Sequence, residues 1–78
     1  MQLVDAAVGQ PLRVTSLDPA HRASLAPEGI DVGVELSVER CLALGGPLIV
    51  RLGRARLAIA RSIAAGLIVE PIDEPSQC

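Results

Sequence analysis

The side chains able to do chemistry are few. His21 is the single histidine of the chain. Any nucleophilic constellation of the Ser-His-Asp or Cys-His kind therefore has one possible base. Asp18, three residues earlier, would share a helical turn with His21 and could orient its imidazole, but no activated nucleophile stands nearby in sequence. His21, Cys41 and Cys78 are the soft metal ligands, and no CxxC or HxxxH spacing joins them. A closed zinc site needs four ligands and would have to recruit carboxylates. The expectation is no catalytic residue, no cofactor and no resident metal within one chain, with only a metal shared between chains left open. Gly45-Gly46-Pro47 and Gly53 read as strand-to-strand turns, not as a phosphate loop between a strand and a long helix.

The sharpest charged feature is a run of arginines: Arg51, Arg54, Arg56 and Arg61. Two uses are open to it. The arginines can form a docking surface, since the planar guanidinium pairs bidentately with carboxylates and is favoured at interfaces. Alternatively they pair across strands with Glu35 and Glu39, where each exposed pair contributes only about 0.2–1 kcal/mol. Nucleic acid is excluded as a partner on composition. The chain carries a net charge of −2 and has no Phe, Trp or Tyr, so it lacks both an overall positive field and a platform for base stacking.

These side chains must be positioned by a small scaffold. At 78 residues the chain is expected to be one domain, residues 1–72, followed by a flexible polar tail at 73–78. A domain of this size buries roughly 60–65% of its unfolded surface. With 50% hydrophobic and 21% charged residues it reads as globular. Its core must come from Leu, Ile, Val and Ala. A membrane span needs about 20 predominantly apolar residues; the longest uncharged run, Cys41 to Val50, is broken by Gly45-Gly46-Pro47. The N-terminus has no basic flank before an apolar block, which argues against a signal peptide. Two cysteines make no disulfide framework, so a reduced, cytoplasmic setting is expected.

Leu12–Leu17 reads as a first strand, with Leu12, Val14 and Ser16 on one face. Asp18 then caps a short helix, with Pro19 at its first position. Pro27 disfavours helical geometry at Ala26 and should end that helix. Val34–Glu39 is the cleanest strand: Val34, Leu36 and Val38 alternate with Glu35, Ser37 and Glu39. Arg40 breaks the phase, so a bulge or an exit from the core is expected near Arg40-Cys41. Pro47–Leu52 and Ala55–Ala60 flank Gly53-Arg54, a two-residue loop suited to a type II′ hairpin that points Arg51 and Arg56 outward. A helical turn at Arg61–Ala65 and a strand at Leu67–Glu70 complete the chain. The expected core is Val34, Leu36, Val38, Leu48, Val50, Leu52, Leu57, Ile59 and Val69. The fold class is mainly β: about five short strands curled into a partly open barrel, which limits exposed edges.

The order of these elements and their turn residues resembles the FeoA-type proteins of bacterial ferrous iron uptake. The resemblance runs from Leu3 to Glu70. It is carried by Leu3-Val4-Asp5, Val8-Gly9-Gln10, Val14, Leu25, Gly29-Ile30 and Gly33. It continues through Gly46-Pro47-Leu48-Ile49-Val50-Arg51-Leu52-Gly53, Arg56-Leu57-Ala58-Ile59 and Ala64 to Val69. It implies a small SH3-like β-barrel with a helical insertion and no enzymatic activity. It also implies a cytoplasmic module that regulates or assembles a membrane ferrous iron permease with a GTP-binding domain, of the FeoB type, and meets the membrane only through that partner. The same fold recurs as the C-terminal module of iron- and manganese-dependent repressors, whose helix-turn-helix domain this chain has no residues to supply. Two features depart from the family. At the helix-to-loop corner Glu28 stands where an apolar residue is usual and the basic run ahead of Leu25 is reduced to Arg22, and the chain lacks any aromatic residue, which is uncommon for such a barrel. Partner contact is expected around Arg22, Leu25 and Ile30, flanked by Arg54 and Arg56. The competing expectation is that Leu25 and Ile30 plug the open end of the barrel. A second function class is a structural module that self-associates through an exposed strand edge and has no part in iron uptake.

Overall fold

Apolar alternation builds five strands: β1 (Leu12–Leu17), β2 (Glu35–Cys41), β3 (Leu48–Leu52), β4 (Ala55–Ile59) and β5 (Leu67–Pro71). They pair antiparallel in one sheet of order β4-β3-β2-β1-β5. The computed structural model describes residues 1–72; the tail expected at 73–78, with Cys78, lies outside them. The second strand is shared between two halves of the sheet. Its first residues pair with β1 at Leu12–Leu36 and Arg13–Glu35, and the rest pair with β3 from Ser37 to Cys41. A strand divided in this way bends the sheet around a single core.

Two bulges set which residues face inward. Between Val14 and Ser16 the β1–β5 register shifts. The extra residue turns Ser16 outward and brings Leu17 into the core, against the expectation of strict alternation through Ser16. The second shift lies between Val38 and Arg40, where the broken phase of Arg40 pointed. The strand nevertheless continues to Cys41, which is exposed.

Helix α1 (Pro19–Leu25) starts as expected, with Asp18 Oδ1 accepting the Ala20 N–H at 2.9 Å. Its end differs from expectation. Ala26 keeps helical geometry (φ −57°, ψ −44°) and donates to the Arg22 carbonyl. Pro27 is accommodated because it opens a 3-10 turn, Ala26–Glu28, where a missing N–H costs nothing. Gly29 ends that turn in the left-handed region at φ 91°, a conformation open to glycine without Cβ strain. Helix α2 (Arg61–Ala65) separates β4 from β5, and a 3-10 turn at Leu3–Asp5 precedes β1.

Of the expected core, Leu36, Val38, Leu48, Val50, Ile59 and Val69 are buried. Leu52 and Leu57 are only partly buried, though packed against the core. Leu57 lies on the terminal strand, with a neighbouring strand on one side only, and Leu52 ends its strand. Val34 is a correction: it precedes β2 in a turn closed by its N–H on the Asp31 carbonyl at 3.2 Å, and is half-buried. The rest of the core comes from Leu3, Ala6, Leu12, Val14, Leu17, Leu25, Ile30, Ala64 and Leu67. Several of these lie in the turns and helices that close the ends of the sheet.

Candidate functional site

The arginine run of the sequence becomes a surface through the β3–β4 hairpin. Leu52 and Ala55 close a two-residue loop with Gly53 at φ 62°, and Arg54 does not have a positive φ. This is the pattern of the type II′ turn. The register sets Arg51 directly opposite Arg56, with Ser37 of β2 on the other side of Arg51. Like charges in opposite positions destabilise a sheet, and Glu39 offsets this pair through an ion pair with Arg56, Oε1 to Nε at 2.7 Å. Arg51 turns its Nε toward the Gly53 carbonyl at 3.5 Å. No ion pair or side-chain hydrogen bond engages Arg54 among the described residues. The bulge in β2 leaves Arg40 exposed beside Ile49. Glu39, Arg40, Ile49 and Arg56 line an open depression of about 330 Å³. A second depression, about 250 Å³, runs along Glu35, Ser37, Arg51 and Gly53 to Gly9 and Pro11.

Charge is unevenly distributed. This part of the sheet holds four arginines (Arg40, Arg51, Arg54, Arg56) against Glu39, a local charge of +3. The remaining chain holds three arginines against eight acidic residues. The local field on this face is therefore opposite in sign to the net charge of the chain.

The other expected contact residues are placed differently. Leu25 is 5% exposed and Ile30 is fully buried, both within the hydrophobic core, so neither side chain stands at the surface of the free chain. The Ile30 N–H donates to the Leu25 carbonyl at 3.2 Å. Arg22 is exposed but held by Asp31, Nη2 to Oδ1 at 2.9 Å. The helix corner does meet the hairpin: a Cβ on Gly29 would lie 3.3 Å from Leu52 Cδ2. Glu35 does not pair with the arginine run, since Arg13 takes it at 3.0 Å and also lies 3.9 Å from Glu70. Arg61 opens α2, its Nε buried without a hydrogen-bond partner among the described residues. Arg40 and Ile49 belong to this face but were not singled out in sequence. Ile49 could have been found, because it alternates in phase with Arg51. Arg40 could have been found as well, because the bulge or core exit read from its broken phase already turns it away from the core.

Asp18 spends a carboxylate oxygen on capping α1 and makes no hydrogen bond to the His21 side chain. Cys41 is a free, exposed thiol. Among the described residues no three His, Cys, Asp or Glu side chains converge to hold a metal. No helix among them is long and apolar enough to cross a membrane.

Comparison with known proteins agrees with this architecture. The family model described as FeoA domain matches residues 1–71. The solution structure of FeoA from Chlorobium tepidum is 32% identical and superposes with a TM-score of 0.83, over 97% of this chain and 76% of that one. FeoA from Stenotrophomonas maltophilia, solved in complex with zinc, is 25% identical with a TM-score of 0.73, over 90% of this chain and 89% of that one. It is described as a procaryotic SH3 domain protein and proposed as a bacterial ferrous iron transport activating factor. A manganese-dependent transcriptional repressor shares the fold at 21% identity and a TM-score of 0.82, over 92% of this chain but 41% of its own. No curated protein sequence matches the chain significantly. The fold is thus the small, mainly β, SH3-like domain that the sequence resemblance implied.

Proposed function

The chain belongs to the FeoA domain family, and from that premise we propose that it is a non-catalytic accessory module of ferrous iron transport. It acts in the cytoplasm, docks on the cytoplasmic GTP-binding domain of a FeoB-type ferrous iron permease, and meets the membrane through that partner. The observation that carries the reading is the arginine-rich β3–β4 hairpin. It presents Arg54 and Arg56 on a rigid sheet with a local charge of +3 in an acidic chain. A barrel of this size is filled by its own side chains, so recognition takes place on its surface. Arg22, at the neighbouring helix corner, extends the contact once its pair with Asp31 opens. Exposed pairs of that kind contribute only about 0.2–1 kcal/mol, so exchanging one carboxylate for another is inexpensive. A non-catalytic role accords with the use of Asp18 as a helix cap, which leaves His21 without an orienting carboxylate. The test is co-purification of this chain with the cytoplasmic domain of the permease encoded in the same genome, with and without guanine nucleotide. Retention of the chain supports the reading, and its absence under both conditions rejects it.

A further inference from the structure

The two edges of the sheet are treated differently. At β5 the outer edge is occupied. Gln2 bridges Ile68, the Val69 N–H donates to the Met1 carbonyl at 2.8 Å, and the Met1 ammonium donates to the Val69 carbonyl at 2.9 Å. At β4 no strand or loop among the described residues pairs with the outer edge. The hairpin register determines which of its groups are unpaired. Leu52 and Ala55 flank a two-residue loop and so form a hydrogen-bonded pair, after which bonded and non-bonded pairs alternate. Val50–Leu57 and Leu48–Ile59 are then the other bonded pairs, while Arg51–Arg56 and Ile49–Ala58 are non-bonded. The N–H and C=O groups of Arg56 and Ala58 therefore point away from β3. No backbone hydrogen bond from another part of the chain reaches them among the described residues.

Resting on the docking reading above, we propose that β4 receives an extended acidic segment of the partner as a sixth strand. Arg56 and Ala58 would supply the main-chain hydrogen bonds. Side-chain direction specifies the segment. Arg56 and Ala58 stand on the solvent face, so an acidic residue set opposite Arg56 meets its guanidinium, with Arg54 and Arg51 within reach of its neighbours. Leu57 points toward the core and is only partly buried. The intervening residue of the added strand is therefore apolar and covers it. The segment alternates acidic and apolar side chains. A second copy of this chain is a poorer occupant. Antiparallel pairing of β4 with itself through these groups sets Arg56 opposite Ala58 of the partner subunit. The two Arg56 side chains then lie on a diagonal about 7–8 Å apart, with all the hairpin arginines on one ribbon and no acid between the strands. Open edges are commonly protected by charge; here the charge excludes a like strand and admits an acidic one.

The test follows amide exchange in the isotope-labelled full chain by NMR. The probes are a short peptide alternating glutamate and valine and the same peptide with lysine in place of glutamate. In the free chain the Arg56 and Ala58 amides should exchange faster than those of Ala55, Leu57 and Ile59. The glutamate peptide should slow Arg56 and Ala58 by about tenfold or more, and the lysine peptide should not. Ala58→Pro removes one outward N–H while keeping every arginine and every β3 bond. It should weaken both the glutamate peptide and the permease domain by about tenfold or more. Unchanged exchange at Arg56 and Ala58 with saturating glutamate peptide overturns strand addition. So does a folded Ala58→Pro chain that binds as wild type does. If Arg54→Glu with Arg56→Glu still abolishes permease binding in either case, the docking reading survives alone; if that variant also binds normally, both readings fall. Should Ala58→Pro fail to fold, the exchange at Arg56 and Ala58 in the wild-type chain decides the matter.

Discussion

Replacing Ile30 by Ala separates a barrel plug from a docking residue. The side chain is fully buried, in the turn between α1 and β2. Losing about three carbons at ~0.8 kcal/mol each costs roughly 2.4 kcal/mol in transfer free energy alone. The cavity left behind brings the usual range to about 2–5 kcal/mol. A chain of 78 residues has a total stability of about 4–12 kcal/mol at ~0.05–0.15 kcal/mol per residue. The substitution therefore removes about a sixth of it at the least. At about 4–8 °C per kcal/mol, a loss of ~3 kcal/mol lowers the thermal midpoint by roughly 12–24 °C. Because the chain has no Phe, Trp or Tyr, intrinsic fluorescence gives no signal. The assay is far-ultraviolet circular dichroism, with heat and with urea. The urea midpoint should fall at an unchanged slope, the sign of lost stability rather than of an altered denatured state. A loss below about 1 kcal/mol together with weakened partner binding would refute the plug and return Ile30 to the interface.

Leu44 has φ 61° and is 104% exposed, so its side chain contributes no packing while its backbone occupies a region that costs roughly 1–2 kcal/mol for a residue with a Cβ. Leu44→Gly should raise stability by about 1 kcal/mol or less, the gain being reduced by glycine's larger unfolded-state entropy; a lower urea midpoint would show that the loop depends on this side chain. Gly29→Ala should lower stability by about 1–3 kcal/mol in thermal melts, since it combines φ 91° with a Cβ 3.3 Å from Leu52 Cδ2; a neutral result would mean that the helix corner does not press on the hairpin. Reduced chain titrated calorimetrically with Fe²⁺ or Zn²⁺ should show no stoichiometric tight site, because no three ligand side chains converge among the described residues. A tight site lost in His21→Ala would contradict that.

Much of the fold was legible because its strands alternate cleanly and its turns carry diagnostic residues. Val34–Glu39 and the Gly53-Arg54 loop were located to within a residue or two, since period-2 patterning and a two-residue glycine loop are local signals. The bulge at Thr15 was not legible. An extra residue in one strand is defined by its partner, β5, more than fifty positions away, and it reversed the expected directions of Ser16 and Leu17. Burial of Leu25 and Ile30 stood only as one of two expectations. Both lie outside strands, so no alternation marked them as core, and the core that buries them forms only once distant strands have paired. The outward pair Arg51 and Arg56 followed from the hairpin register. The break at Arg40 reads as a bulge or core exit, but its place beside Ile49 depends on the β2–β3 register, and pairing of Glu35 with the arginine run was expected because the adjacency of β1 to β2 was unknown.

Docking through the β3–β4 hairpin is tested most directly by one binding measurement: wild-type chain against Arg54→Glu with Arg56→Glu, each titrated with the cytoplasmic domain of the permease across a range of salt. Arg56 and Glu39 form an exposed pair, with side chains 65% and 31% exposed, and Arg54 makes no ion pair among the described residues. The double variant should therefore lose no more than about 1 kcal/mol of stability. Wild-type affinity should fall as salt rises, and the variant should bind about tenfold or more weakly at low salt. A folded double variant that binds with wild-type affinity and wild-type salt dependence would contradict docking through these arginines and remove the hairpin from the interface.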